Sequence, residues 1–248
     1  MALDNAWPQT TVAAMPHISL TSAFWHSDDS HGLSAGAPLD LAPPGHLLVQ
    51  TSGTEGVPKW CAIHKRAFLA NAEAVNTHLA ASSADRWLLA LPIHHVGGFA
   101  IHARAFLTGA AVVTLDGKWD AARFAEVCGT ERITLTSLVP TQVFDLVQQQ
   151  LRAPASLRAI VVGGGALAKD LGDRARDLGW PVLQSFGMTE TSSQIATEPL
   201  THLASGFDPE TMEVLPRWDL QVDADGVLTV RGPALATGYA ISIEAGLC

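Results

Sequence analysis

Residues 49–59 combine residue types that bind phosphate. The stretch reads Val-Gln-Thr-Ser-Gly-Thr-Glu-Gly-Val-Pro-Lys, with two glycines, three hydroxyl side chains and the ammonium group of Lys59. Glycine lets backbone N–H groups approach an oxyanion closely, and the lysine supplies a positive charge. Only two residues separate Gly53 from Gly56, and a proline precedes the lysine, so the spacing differs from that of the nucleotide triphosphatase loop. The stretch therefore predicts a phosphate-binding loop of another class.

A second segment with chemical potential, residues 92–99, follows a predicted strand and contains His94, His95 and two glycines. Histidines beside glycines fit a pocket that places a substrate next to a titratable ring, although a hydrogen-bonded structural role for His95 is the alternative. Arg104 follows in an otherwise apolar helix. A buried arginine there requires an anion, because an uncompensated buried charge is costly, whereas an arginine that extends its charge into solvent also fits the pattern.

Two further segments begin where predicted strands end. In residues 160–167 an apolar strand leads into three glycines, whose missing side chains would let a flat ring or a sugar lie against the backbone or would simply form a tight turn. In residues 185–191, Thr189 and Glu190 could form a cation and phosphate pair, because Mg²⁺ takes oxygen ligands and usually only one or two carboxylates. The alternative for this segment is a capped helix start.

Alternating strands and helices must position these segments. The sequence predicts a strand at residues 46–51, an amphipathic helix at 65–80 and a strand at 86–91. The further predicted elements are a helix ending at residue 107, a strand at 110–115, a helix at 119–128, a strand at 133–136, a helix at 140–150, a strand at 157–162, a helix at 167–178 and a strand at 181–185. Such alternation implies right-handed crossovers and a parallel sheet covered by helices, with ligands at the carboxyl ends of the strands. The predicted phosphate loop is placed at one of these ends.

The composition indicates a globular protein, since 48% of the 248 residues are hydrophobic and 16% are charged. A net charge of -9 argues against a broad nucleic-acid surface, and no apolar run approaches the roughly 18 residues that a membrane span needs. The three cysteines lack metal-binding spacing, and no secretory signal is seen, so a cytoplasmic location is expected. We therefore expect neither nucleic acid nor membrane as a partner, and any phosphate binding must be local.

Three regions are predicted along the chain. Residues 1–44 read as an irregular N-terminal lead-in, residues 45–199 as an α/β core with the predicted phosphate loop, and residues 200–248 as a small β-rich segment with a hairpin at 220–231. Polar residues of the lead-in are assigned no metal site, because no regular element fixes their geometry. They are His26, Asp28, Asp29 and His31.

The order of the motifs resembles that of a known superfamily. The runs TSGTEGVPK, LPIHHVGGF, VVGGGAL, SFGMTET and VRGPALATGY are similar, in this order, to the core motifs of the adenylate-forming enzymes. These enzymes include acyl-CoA synthetases, firefly luciferase and peptide-synthetase adenylation domains. The run SFGMTETSSQ, the run SLVPTQ at residues 137–142 and Arg104 look most like the o-succinylbenzoate CoA ligases of menaquinone biosynthesis. The resemblance covers residues 45–239.

This resemblance implies a fold, an activity and ligands. The fold would be α/β, with predominantly parallel sheet flanked by helices and a small β appendage near the C-terminus. The protein would be an AMP-forming acid–thiol ligase. It would use ATP and Mg²⁺ to convert a carboxylic acid to an acyl adenylate, which would then react with CoA, the co-substrate, to give a thioester. A non-catalytic nucleotide- or acyl-binding remnant and a ligase of different acid specificity are the alternatives. The chain ends before the family's C-terminal aspartate and lysine, so a missing C-terminal domain or a partner chain is expected.

The resemblance also implies roles for individual residues. Nucleotide contacts fall on Thr51, Ser52, Gly53, Thr54, Gly56 and Lys59 at the phosphates, on Gly163, Gly164, Gly165, Ala166, Ser185, Phe186 and Gly187 around adenine, and on Thr189 at the α-phosphate. Glu190 matches the Mg²⁺ ligand, and His95, Gly98 and Arg104 match substrate positions. The implied catalytic residues are Lys59, His95, Thr189 and Glu190.

Overall fold

The computed structural model describes residues 20–51 and 59–240, which form two β-sheets and a separate β-hairpin with helices packed against them. One sheet has seven strands, and the other has four. The predicted α/β class is confirmed. Within the described ranges, no helix has both the length and the apolar character needed to cross a bilayer.

The strands are β1 (His31–Gly32), β2 (His46–Gln50), β3 (Trp60–His64), β4 (Arg86–Leu89), β5 (Ala111–Thr114), β6 (Leu135–Leu138), β7 (Ala159–Val162), β8 (Val182–Met188), β9 (Ser193–Thr197), β10 (Glu213–Val214), β11 (Asp219–Val222), β12 (Leu228–Arg231) and β13 (Gly238–Ala240). The α-helices are α1 (Ser22–His26), α2 (Lys65–His78), α3 (Val96–Thr108), α4 (Ala121–Thr130), α5 (Pro140–Gln148) and α6 (Lys169–Asp177). Short 3₁₀ turns lie at Leu39–Leu41, Thr189–Thr191 and Leu200–Ala204.

The strand order is β10-β9-β8-β7-β6-β4-β5 in the large sheet and β1-β2-β3-β13 in the smaller sheet. Five neighbouring strands of the large sheet, β5, β4, β6, β7 and β8, are parallel and alternate with helices along the chain. Successive residues of β4 enter different cores, since Trp87 and Leu89 pack with α2 and α3, whereas Leu88 packs with α4, α5 and α6. Side chains of a strand point alternately to the two faces, so helices cover both faces of this sheet. The predicted alternation between residues 86 and 185 is confirmed, with ends that shift by a few residues.

The predicted setting of the phosphate loop is wrong. The sequence places this loop between a strand and a helix of the parallel sheet, but β2 pairs antiparallel with β3 in the smaller sheet, with Gln50 opposite Trp60. The backbone N–H of Thr51 donates to the carbonyl of Lys59 at 2.8 Å, which closes the base of the connection. Strand β3 is hard to recognise in the sequence, because it runs into α2 without a turn residue between them. Residues 52–58 lie outside the described ranges.

The N-terminal lead-in contributes to the core. Helix α1 buries Phe24 and Trp25, and both rings lie against Phe99 of α3 at centroid distances of 6.3 and 5.6 Å. Strand β1 pairs parallel with β2, so the lead-in also extends the smaller sheet. Residues 20–44 have little regular structure, yet they supply aromatic side chains to the interior. The region boundaries at residues 44 and 199 stay predictions.

The amphipathic spacing predicted for α2 is confirmed. Phe68, Ala72, Val75 and Leu79 are all buried in the core shared with α3 and the two sheets. They recur at intervals of three or four residues, which places them on one face of the helix. Helix α2 thereby joins the smaller sheet to one face of the larger one.

The predicted hairpin near the C-terminus is confirmed as β11 and β12, which pair antiparallel from Asp219 opposite Arg231. In its turn, Oδ1 of Asp223 accepts the backbone N–H groups of Asp225 and Val227 at 3.0 and 2.9 Å. Gly226 has φ +80°, a conformation that favours glycine. The turn chemistry therefore fixes the hairpin locally.

Candidate functional site

The described ends of the predicted phosphate loop lie side by side. The hydroxyl of Thr51, like its backbone N–H, donates to the carbonyl of Lys59, at 3.3 Å. The other four residues expected to contact phosphate, Ser52, Gly53, Thr54 and Gly56, lie outside the described ranges. The structure therefore fixes where the stretch leaves and rejoins the smaller sheet.

The carboxylate turn begins where β8 ends. Thr189–Thr191 form one 3₁₀ turn, in which the hydroxyl of Thr191 accepts the backbone N–H of Met188 at 3.1 Å and donates to the carbonyl of Ser193 at 2.7 Å. The helix start considered as an alternative is present only as this single turn. It holds Thr189 and Glu190 between β8 and β9, next to β3 of the smaller sheet.

Tyr239 connects Glu190 with Lys59. Its hydroxyl donates a short hydrogen bond to Oε1 of Glu190, and its ring centroid lies 5.9 Å from Nζ of Lys59. The hydrogen bond to Glu190, together with burial and the nearby negative charge, raises the pKa of Tyr239 to about 12. Tyr239 lies in the last of the motifs, but the sequence assigned it no role of its own. The contact brings the lysine end of the loop and the carboxylate turn together.

The glycine turn after β7 is held by a residue that the sequence did not single out. Oε1 of Gln184 accepts the backbone N–H of Leu167 at 2.6 Å, and its amide nitrogen donates to the carbonyl of Gly165 at 3.3 Å. Gln184 is 4% exposed, and Gly164 has φ +75°. The same amide nitrogen donates to the carbonyl of Val162 at 3.4 Å, so the side chain bridges the residues on either side of the stretch from Gly163 to Ala166. The sequence signal that could have indicated this role is the position of Gln184 directly before Ser185, which is predicted to contact adenine.

The end of β8 forms a wall beside the glycine turn. The hydroxyl of Ser185 donates to the carbonyl of Val162 at 2.9 Å, and a Cβ on Gly163 would lie 3.1 Å from that hydroxyl oxygen. The Phe186 ring is 39% exposed, so its face is accessible to a ligand. Gly187 lies at a bulge where a Cβ would come within 2.2 Å of the carbonyl of Ser193. These four predicted nucleotide residues share one edge of the sheet.

His95 lies at the same edge, after β4, as the N-terminal cap of α3. Burial lowers the pKa of His95, and the adjacent His94, whose ring centroid is 4.4 Å away, lowers it further. The imidazole is therefore neutral at neutral pH and offers a hydrogen bond rather than a charge. A Cβ on Gly98 would lie 2.3 Å from the carbonyl oxygen of Pro92, so close backbone packing explains this glycine.

Arg104 is 1% exposed, which excludes the solvent-exposed alternative. Its guanidinium donates to the hydroxyls of Ser137 and Ser193 at 3.3 and 3.1 Å and to Oε1 of Gln194 at 3.1 Å, and it lies over the Trp87 ring. Burial lowers its pKa to about 9. Within residues 20–51 and 59–240, no carboxylate pairs with Arg104, and its Nε has no hydrogen-bond acceptor. A buried cation held by neutral groups is suited to a bound anion.

Glu190 could hold a magnesium ion that is bound together with a nucleotide, because its carboxylate lies in the turn after β8. No group of three or more His, Cys, Asp or Glu side chains arranged for a metal occurs in the described part of the chain. Mg²⁺ commonly uses one or two carboxylates and takes further oxygens from phosphates and water. Burial raises the pKa of the Cys61 thiol to about 12, and the charge of Glu190 adds to the effect, so this thiol is protonated. Glu190 is the carboxylate suited to the ion.

An open groove of about 830 Å³ lies elsewhere, along α2 and the end of α3, where Glu73, Leu107 and Arg217 contribute to its lining. None of the described site residues lines it. The candidate site is therefore located by the positions of its chemical groups and not by this groove.

A parallel sheet whose strand ends carry a glycine turn, an exposed aromatic ring and a carboxylate is typical of nucleotide-binding α/β proteins. The family model described as AMP-binding enzyme matches residues 46–240. The chain belongs to this family, within the adenylate-forming superfamily.

Individual relatives agree with this assignment. The 2-succinylbenzoate--CoA ligase of Bacillus subtilis (strain 168) is 36% identical over 207 residues, which cover 77% of this chain and 41% of that protein. The structure of O-succinylbenzoate Coenzyme A Synthetase (MenE) from Bacillus subtilis in complex with ATP and magnesium ion aligns with a TM-score of 0.70 and 28% identity. That alignment covers 78% of this chain and 42% of the other. The chain thus spans about two fifths of the length of these relatives.

Proposed function

We propose that this chain forms the nucleotide- and acid-binding core of an AMP-forming acyl-CoA ligase that acts on o-succinylbenzoate or a similar aromatic acid. The observation that carries the proposal is the meeting of Lys59 and Glu190 at Tyr239, from segments far apart in sequence. Glu190 follows β8, and the glycine turn follows the neighbouring strand β7. The cationic group, the carboxylate and the glycine turn would suit the phosphates, the metal and the base of a magnesium nucleotide respectively. The MenE structures that resemble this chain include complexes with ATP and magnesium and with the acyl-adenylate intermediate OSB-AMP.

The acid-binding part of the proposal depends on Arg104. Among the described residues, all partners of its buried charge are neutral, so a substrate carboxylate would supply the missing counter-charge. Ser193, one of these partners, lies opposite Met188 in the β8–β9 pair. Met188 is the residue immediately before the carboxylate turn. Arg104 therefore contacts the strand pair from which Thr189, a predicted phosphate contact, extends. A reaction between acid and nucleotide requires the two substrates to lie close together.

In the proposed first step, a carboxylate oxygen of the acid forms a bond to the α-phosphorus of ATP. The bond from that phosphorus to the bridging oxygen breaks, and pyrophosphate leaves with the electron pair. Both reactants are anionic, so Lys59 and Thr189 would have to bind phosphate oxygens, and Glu190 would hold a magnesium ion that supplies further charge neutralisation. Gly163 to Ala166 and Ser185 to Gly187 would hold the adenine, with Phe186 stacked on it.

In the second step, the sulfur of CoA would bond to the acyl carbon, the thiol proton would pass to solvent, and AMP would leave with the electrons of the acyl C–O bond. The lowered pKa of His95 leaves a neutral imidazole, which can hydrogen-bond to the acid without adding a charge. Gly98 shapes this region through its close contact with the Pro92 carbonyl. Thioester formation completes the proposed reaction.

The first experiment is calorimetric titration of the chain with Mg-ATP and then, on the ATP-loaded chain, with o-succinylbenzoate. We expect Arg104→Met to weaken binding of the acid by about 30-fold or more, because removing one partner of a buried charged pair costs about 2–5 kcal/mol. ATP affinity should change by less than about threefold. Arg86→Met is the matched control, since Arg86 is a half-exposed arginine on β4. Equal losses for ATP and acid would contradict the assigned role.

ATP-dependent pyrophosphate exchange with and without o-succinylbenzoate then tests catalysis. Exchange that requires the acid supports the ligase. Measurable ATP binding without exchange would instead identify a binding function without turnover for this chain. Acid-dependent exchange with another aromatic acid, but not with o-succinylbenzoate, would correct the substrate.

A further inference from the structure

Tyr239 is held in place by both neighbouring elements. In β13 it lies opposite Cys61 of β3, and the backbone N–H of Thr237 donates to the carbonyl of Ala62 at 2.9 Å. On the other side, the backbone N–H of Ala236 donates to the carbonyl of Glu190 at 2.7 Å. The segment before Tyr239 is therefore fastened to the smaller sheet and to the carboxylate turn at once.

Tyr239 makes different contacts through its hydroxyl and through its ring. The hydroxyl donates to Oε1 of Glu190, and the ring face lies near the ammonium group of Lys59. A carboxylate has two oxygens with about four acceptor positions, so a hydrogen bond to Oε1 fixes its orientation and leaves acceptor capacity for another ligand. An aromatic face attracts a cation without consuming its N–H donors in an ion pair.

We propose that Tyr239 is a positioning residue for the magnesium nucleotide: its hydroxyl orients the carboxylate of Glu190 toward the metal, and its ring holds Lys59 beside that carboxylate. The inference rests on the proposed function, in which Glu190 binds the metal. Carboxylates that bind metals are themselves hydrogen-bonded by neighbouring groups, and loss of such a partner typically lowers metal affinity or activity by about 10- to 100-fold. Tyr239 occupies the place of such a partner, 49 residues away in sequence from Glu190.

Tyr239→Phe removes only the hydroxyl, and Tyr239→Leu also removes the aromatic face. The side chain is 45% exposed, so both variants are expected to fold. Calorimetry should show the phenylalanine variant binding Mg-ATP about 10- to 100-fold more weakly, while AMP without metal binds within about threefold of the parent. The leucine variant should lose additional affinity for Mg-ATP, because Lys59 loses its aromatic neighbour. Unchanged AMP affinity also serves as the control for folding.

A spectroscopic measurement gives a readout that is independent of turnover. Tyr239 is the single tyrosine in the 248 residues, so tyrosine labelled with ¹³C at the ring carbon that bears the hydroxyl yields one protein signal. We expect Mg-ATP to shift this signal and metal-free AMP to shift it much less. In Glu190→Gln, the shift caused by Mg-ATP should largely disappear.

The outcomes separate the two proposals. If Glu190→Gln weakens Mg-ATP binding but Tyr239→Phe does not, the positioning role is overturned while the proposed function stands. An equal loss of AMP and Mg-ATP affinity in Tyr239→Phe overturns the role as well, since it would indicate a general structural effect. If the parent chain binds neither Mg-ATP nor AMP, the proposed function fails and the inference fails with it.

Discussion

Glu198→Gln should strongly destabilise the fold, because it removes one charge of a buried pair. Nη2 of Arg176 lies 2.7 Å from Oε1 of Glu198, and the two side chains are 10% and 0% exposed. The substitution preserves size and one oxygen acceptor but leaves the arginine with neutral partners, which include the carbonyl of His202 at 2.8 Å. Removing one partner from a buried ion pair costs about 3–5 kcal/mol.

The chain provides a matched control for this prediction. Arg86 and Glu131 form a pair at 2.9 Å with the same chemistry, but their side chains are 39% and 47% exposed. Glu131→Gln should cost less than about 1 kcal/mol, because water screens an exposed pair and hydrates the remaining charge. The two substitutions therefore differ mainly in the burial of the pair.

The assay is unfolding followed by circular dichroism, with heat and with urea. One kcal/mol corresponds to about 2–4 °C in Tm for a protein of this size, so Glu198→Gln should lower Tm by about 6–20 °C and Glu131→Gln by no more than about 4 °C. Adding Arg176→Met to Glu198→Gln should recover part of the loss, since it removes the uncompensated charge. Equal losses in the two single variants would refute the reasoning from burial.

Three further predictions use other contacts. Burial alone would raise the pKa of Asp85, but hydrogen bonds from Arg158 and other donors lower this pKa from 3.8 to about 2. The carboxylate therefore contributes roughly 2 kcal/mol to the free energy of unfolding above pH 4, and this contribution is lost as the pH falls toward 2. Urea unfolding at pH 7 and pH 3 should show a smaller acid-induced loss in Asp85→Asn. Gln184→Leu should weaken AMP binding about tenfold in calorimetry, because the glycine turn loses its buried hydrogen bonds, and an unchanged affinity would exclude that role. Gly98→Ala should lower Tm, because the added Cβ would collide with the Pro92 carbonyl. Gly97→Ala should not lower Tm, because its Cβ would lie 3.4 Å from a flexible leucine side chain, and equal losses would contradict the packing argument.

The sequence predicted the features that depend on local patterns. Apolar runs bounded by glycine and proline gave the strands of the parallel sheet, and the three-or-four spacing of Phe68, Ala72 and Val75 gave α2. The hairpin at Asp223 was predictable for the same reason, since its turn is specified by adjacent residues. Features of this kind need no knowledge of distant segments.

Pairing between distant segments could not be predicted in this way. Strands β3 and β13 are short, and only their antiparallel pairing brings Tyr239 to Glu190 and Lys59. Likewise, α3 is apolar on several faces, so its composition did not decide whether Arg104 reaches solvent, and burial was settled by the packing around Trp87. The close backbone contacts at Gly98 and Gly187 are also visible only in three dimensions.

The packing of α1 affects where the protein can be shortened. The family match begins at residue 46, after Phe24, Trp25 and Leu33, which are all buried in the interior. A variant trimmed to the family border would uncover the Phe99 ring on α3 and remove the strand that borders β2. Expression boundaries chosen from motif coverage alone would therefore favour aggregation, and a boundary ahead of Ser22 retains these contacts.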